Sequence, residues 1–208
     1  MSDGFYYYDP QHGHNLRHDP FKSIVGPRPI GWISTVSLDG IFNLAPYSFF
    51  NAFSHRPPIL GFSSKGYKDT VKNIVDTRQF VWNLCNRPLV ESMNKTSQGV
   101  DANIDEFQLS NLTPVIGHQV QAPRIKESPV SFECQVIDVI AMTDCNKQPI
   151  DTWFVFGQVV GVHIAKELLV DGVYDTARAG PVLRGGNTGD YFEITQSQLF
   201  QIERPNDS

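Results

Sequence analysis

Bulky and polar side chains alternate along residues 30–37 without sorting onto two faces. One set of alternate positions holds Ile30, Trp32, Ser34 and Val36, the other Gly31, Ile33, Thr35 and Ser37, so each side carries both bulk and a hydroxyl. Asp39-Gly40 follows, a pair suited to the positive φ of a tight hairpin, and predicts an antiparallel return over residues 41–45. Neither face of this ribbon reads as simply wet. Runs rich in β-branched and aromatic residues predict further strands over 59–64, 79–85, 130–142 and 153–164. Helical spacing is confined to 69–76, with Val71, Ile74 and Val75 and with Asp69 as the expected N-cap, and to 87–95, with Leu89, Val90 and Met93. Strands outnumber helices and regular βαβ alternation is missing. The pattern therefore predicts a mainly β fold, an antiparallel barrel or sandwich with attached helices, and disfavours a Rossmann sheet.

Composition narrows the classes. In 208 residues, 40% hydrophobic and 19% charged, there is material for one substantial core. A single domain is expected over residues 21–200, flanked by a loosely held extension at 1–20 and a tail at 201–208. A formal charge of −5 gives no basic field for nucleic acid. No stretch approaches the roughly 18 uninterrupted apolar residues of a membrane span, and the opening lacks the charged and apolar regions of a signal peptide. A cytoplasmic protein without a membrane partner is expected. Cys85, Cys134 and Cys145 lie far apart with no CxxC, so they read as fillers of interior space rather than disulfides or zinc ligands.

Two segments carry candidate chemistry. In residues 61–75 a strand ends at Ser63 and Ser64, passes a glycine-containing loop, and leads into Lys68, Asp69 and Thr70 at the start of a helix. Hydroxyls, a lysine and the positive end of a helix make a phosphate cradle. An ordinary capped helix with a solvated lysine explains the same residues. The hairpin is the second segment, with Ser34 and Thr35 near its turn and Asn43, Leu44, Ala45, Pro46, Tyr47 and Ser48 along its exit. Proline cannot serve a central ladder, so Pro46 frees neighbouring backbone groups for a flat heteroaromatic ligand. Trp32, Phe42, Tyr47, Phe49 and Phe50 read equally as core.

In chain order, PRPIGWIST, NLAPYSFFNA, RPPILGFSS, KDTVKNI, Glu106-Phe107, ESPVSFECQV, GQVVGVHI and LRGG with Tyr191 resemble the flavin reductase-like family. This FMN-binding split-barrel group includes flavoredoxins and the reductase components of two-component monooxygenases, and the resemblance runs from about residue 24 to 192. It implies a six-stranded Greek-key split β-barrel, a homodimer, and one FMN per subunit near the dimer interface. It further implies hydride transfer from NADH or NADPH to the flavin and onward to an acceptor, which is free flavin, another small molecule or a monooxygenase partner. A flavin-binding electron-transfer protein is the alternative.

Carried onto matching positions, the resemblance sets Trp32, Ser34 and Thr35 against the isoalloxazine. Asn43, Ala45, Pro46, Tyr47 and Ser48 become a wall along its pyrimidine side and ribityl chain, and Ser63, Ser64, Lys68, Asp69 and Thr70 the phosphate end. The second face of the first strand is then expected to meet FMN and a partner subunit. Arg28 faces a phosphate or flavin carbonyl, or is a surface ion-pair residue. His163 is a catalytic candidate near the flavin, or a hydrogen-bonded structural histidine. Arg184 stands at the mouth of the site, or merely in a chain-reversing loop whose glycines form no dinucleotide fingerprint. His12, His14 and His18 with Asp9 and Asp19 imply no fixed metal geometry.

Overall fold

The hairpin at Asp39-Gly40 forms in the computed structural model, which describes residues 4–205; the first three residues of the expected extension and the last three of the expected tail lie outside the described residues. Gly40 takes φ 80°, its N–H reaches Ser37 O at 3.1 Å, and Ser37 Oγ accepts from Ile41 N–H at 3.0 Å. The turn joins β1 (Gly31–Val36) to β2 (Phe42–Tyr47). Then follow β3 (Phe50–His55), β4 (Pro58–Lys65), helix α1 (Asp69–Thr77), β5 (Gln79–Asn83), α2 (Val90–Lys95), α3 (Glu106–Leu109), β6 (Val130–Thr143) and β7 (Pro149–Ile164).

The seven strands make one antiparallel sheet in the order β2-β1-β5-β6-β7-β4-β3. The count is one more than the expected six, because β3 pairs with β4 along the far edge. Although β2 and β3 are consecutive in the chain, they end opposite edges, and no ladder among the described residues joins them. The sheet curls, Tyr47 meets Phe62 with ring centroids 4.6 Å apart, and the seam at β2 stays open. This is a split barrel.

Every residue of β1 is buried, which accounts for its unsorted pattern. Ile33 faces the barrel interior with Tyr47, Phe62, Phe80 and Val155. Trp32 faces outward into a second cluster with Leu44, Leu89, Met93, Phe107 and Ile125. The outer face is thus covered by the chain's own α2, α3 and the short strand Pro123–Ile125, correcting the expectation of flavin and a partner there. Gly157 of β7 is required by packing, since a Cβ there would lie 2.4 Å from the buried Phe80 ring. Cys85 and Cys134 fill interior space as expected, whereas Cys145 is exposed in the turn between β6 and β7. No helix among the described residues is long and apolar enough to cross a membrane.

Candidate functional site

As the sheet's edge strand, β2 turns one side of its backbone away from β1. Leu44 N–H points outward and is taken by Glu106 Oε2 at 3.0 Å, so by the two-residue period Pro46 also sits at an outward position, where its missing N–H costs no ladder bond. Outside this edge lie two adjoining cavities of about 330 and 230 Å³ that share Pro46, Tyr47 and Ser97.

The larger cavity runs from Asn43, Ala45 and Pro46 to Lys68, Asp69 and Thr70, and is closed by Thr96, Ser97, Gln98 and Glu106. Its floor is a buried amide and hydroxyl network that ties α1 to the hairpin: Asn43 Nδ2 donates to Thr35 Oγ1 (3.1 Å) and Thr70 Oγ1 (2.9 Å), and Asn73 Nδ2 to Thr35 Oγ1 (3.1 Å). Lys68, not Asp69, occupies the N-cap of α1, and its side chain makes no cap hydrogen bond, since an ammonium has no acceptor to offer. Asp69 is the first helical residue. The N–H groups of Asp69, Thr70 and Val71 are left without an acceptor among the described residues and make a partly positive terminus at the cavity wall.

Between the cavities stands Tyr47. Its hydroxyl is buried without a hydrogen bond among the described residues. Burial raises its pKa, Asp69 and Glu106 add to the rise, and the nearby Thr70 and Ser64 hydroxyls oppose it. Burial likewise raises the Glu106 carboxyl, against the lowering effect of Leu44 N–H. The smaller cavity is lined by Ile30, Ser48, Met93, Asn94, Arg184 and Tyr191. There Arg184 lies over the Tyr191 ring at 4.8 Å and donates from Nη1 to the carbonyls of Asn187 (2.9 Å) and Asp190 (2.7 Å).

Nine of the expected residues therefore line one groove: Asn43, Ala45, Pro46, Tyr47, Ser48, Lys68, Asp69 and Thr70, and Arg184 at the far end. The others do not. Trp32 is fully buried and donates Nε1–H to Thr96 Oγ1 at 3.0 Å. Ser34 donates to Pro123 O and accepts from Asn83 Nδ2 at 3.1 Å, and Thr35 lies beneath Asn43. Ser63 pairs with Phe154 within the sheet, and Ser64 Oγ turns to Gly66 O at 3.0 Å.

Arg28 is spent on three main-chain carbonyls, Ser48 O (2.9 Å), Gly185 O (3.2 Å) and Lys22 O, so it is neither a surface ion-pair residue nor a free anion ligand. His163 lines a different cavity, and its Nε2 lies 2.5 Å from Glu133 Oε1. Glu133 is buried and accepts N–H groups from His118, Gln119 and Val120; although burial alone would raise its pKa, these bonds and His163 hold it down at about 2. The groove residues the sequence reading missed are Thr96, Ser97, Gln98 and Glu106. A polar run ending in Gly99 directly after a helix was the available signal for the first three, and the Glu106-Phe107 motif was the signal for the fourth.

Comparison with known proteins gives this groove its context. An uncharacterised protein of Aquifex aeolicus is 39% identical over 157 residues, covering 72% of this chain and 76% of the relative. The structure of nitrilotriacetate monooxygenase component B from Bacillus cereus superposes with TM-score 0.86 at 25% identity, over 97% of this chain and 100% of that one. Flavoredoxin of Desulfovibrio vulgaris shares the fold, with TM-score 0.73 at 22% identity over 85% and 90%. The model of the flavin reductase like domain matches residues 26–181, and the chain belongs to that family.

Proposed function

We propose that the groove along β2 holds FMN and that the protein is an NADH- or NADPH-dependent flavin oxidoreductase. One observation carries the reading: the free amides of α1, Lys68 and the unpartnered Tyr47 hydroxyl meet around one cavity at a sheet edge. The residues present suit the cofactor. A phosphate fits the α1 terminus, where Lys68 adds charge and the amides add oriented donors, while Asp69 beside it disfavours excess negative charge. A ring fits between Pro46, Tyr47 and the loop 96–100, where Tyr47 Oη, Ser97 and Gln98 offer polar contacts to its rim.

When bound, FMN supplies a ring able to accept a hydride from a reduced nicotinamide and to pass electrons onward. The chain's contribution is placement. Asn43 and Asn73 hold Thr70 and Thr35 in register, so the phosphate end is rigid relative to the strand edge. Glu106 is already bonded to Leu44 N–H, which fixes its carboxyl at the cavity wall, and burial makes it less acidic. No strong base is required for hydride transfer, and the groove's hydroxyls, amides and main chain suit that demand.

A homodimer belongs to the same proposal. Phe53, Ile137, Ile140 and Ile150 are exposed apolar side chains on β3 and the outer parts of β6 and β7, and a second copy would cover them. The Bacillus cereus neighbour's name supports a monooxygenase partner as acceptor.

The test is a spectrum and a titration. Protein saturated with FMN should lose its flavin absorbance when NADH or NADPH is added without oxygen. Retained colour would replace the reductase reading with that of an electron carrier. Lys68→Ala should weaken FMN binding by about 1.5–3 kcal/mol, the worth of a charge-assisted hydrogen bond, with the fold intact by circular dichroism. Unchanged affinity would remove the α1 terminus from the site.

A further inference from the structure

The largest of the cavities described, about 430 Å³, shares no lining residue with the flavin groove. Arg124, Lys126 and His163 line it, and its wall contains no carboxylate. Arg124 belongs to the strand Pro123–Ile125 and Lys126 to the turn that follows it, and both reach the same cavity. Neither has an ion-pair partner among the described residues. Arg124 Nε is buried with no acceptor, a costly state for a guanidinium group unless something outside the chain completes it.

The nearby acids stand outside the wall and have partners of their own. Glu127 Oε2 accepts Thr113 N–H at 3.1 Å, and Glu133 is committed to its three amides and to His163. In a chain of net charge −5, a concave site with two cations and no carboxylate in its wall is a local reversal of sign, with Glu127 beside Lys126 the acid that feels that charge.

We propose that this cavity binds the phosphoryl group of a small molecule at a second site, distinct from the flavin groove. Arg124 offers a forked donor, Lys126 a mobile charge at the rim, and His163 a ring fixed by Glu133. The volume lies within the range of about 300–1,000 Å³ typical of small-molecule pockets, so a nucleoside diphosphate fits the space better than a lone ion.

Calorimetric titration of ADP, and separately of inorganic phosphate, tests this in the presence and absence of saturating FMN. One site per chain that persists with FMN bound is expected. Affinity should fall about tenfold or more in Lys126→Gln, an exposed position where folding is not at risk, and again in Arg124→Gln. Tighter binding of ADP than of phosphate identifies a nucleotide as the source; equal binding identifies the free anion. Absence of heat with both ligands, binding abolished by FMN, or binding indifferent to Lys126→Gln overturns the proposal.

Discussion

Tyr47 is buried, yet its hydroxyl makes no well-formed hydrogen bond among the described residues, with the Thr70 and Ser64 hydroxyls its nearest polar neighbours. An unsatisfied buried hydroxyl costs about 1–3 kcal/mol. Tyr47→Phe should therefore leave the flavin-free protein equally stable or more so, by about 1 kcal/mol, while weakening FMN binding by a similar amount. Thermal melts and fluorescence titration read the two quantities separately, and opposite signs distinguish a ligand-facing hydroxyl from a structural one. Glu133 behaves differently. Its carboxyl titrates at about 2 in the folded chain against an ordinary value of 4.5, so the unfolded chain binds the proton more readily between those values. The resulting stability, on the order of 3 kcal/mol, is complete above pH 4.5 and is lost as pH falls toward 2. Urea midpoints measured across that interval should fall steeply in the parent and much less steeply in Glu133→Gln.

Among the elements, α1 and the first hairpin were legible because each rests on local chemistry: Asp39-Gly40 for the turn, and Val71, Ile74 and Val75 for the helix. Lys68 in the cap position was not, since Asp69 is the better capping residue by type and only the chain's approach to the helix excludes it. β3 escaped notice because Phe50, Asn51, Ala52, Phe53, Ser54 and His55 have no clean alternation and stay largely exposed; the strand exists by pairing with β4. The proline-flanked Arg28 joins elements remote in sequence, linking the carbonyls of Lys22, Ser48 and Gly185. The last lies just beyond β8 (Val182–Arg184). Arg28→Lys cannot reproduce that fork, and a loss of about 2–3 kcal/mol in chemical denaturation is expected despite the conserved charge. Parent-like stability would show the three bonds to be dispensable.

For the whole molecule, the strand pattern indicated an antiparallel barrel or sandwich, the family resemblance narrowed it to a split barrel, and the run from Lys68 to Thr70 that lines the groove could be picked out as a candidate anion site. What was not readable was facing. Trp32, Ser34 and Thr35 have the right chemistry for a ligand, but long-range packing by Thr96, Asn83 and Asn43 claims their polar atoms. The same holds for Gly157, whose need is set by the Phe80 ring across the barrel. Gly157→Ala should cost about 1–3 kcal/mol by overpacking, visible as a lower denaturant midpoint, because ring and strand are both fixed by the closed interior. The open seam carries a further consequence. A foreign strand arriving at β2 would find the Leu44 donor already engaged by a carboxylate and no donor at all on Pro46. The gap in the barrel therefore leaves room beside β2 while offering little to the extended polypeptides that would zip neighbouring molecules together along that edge.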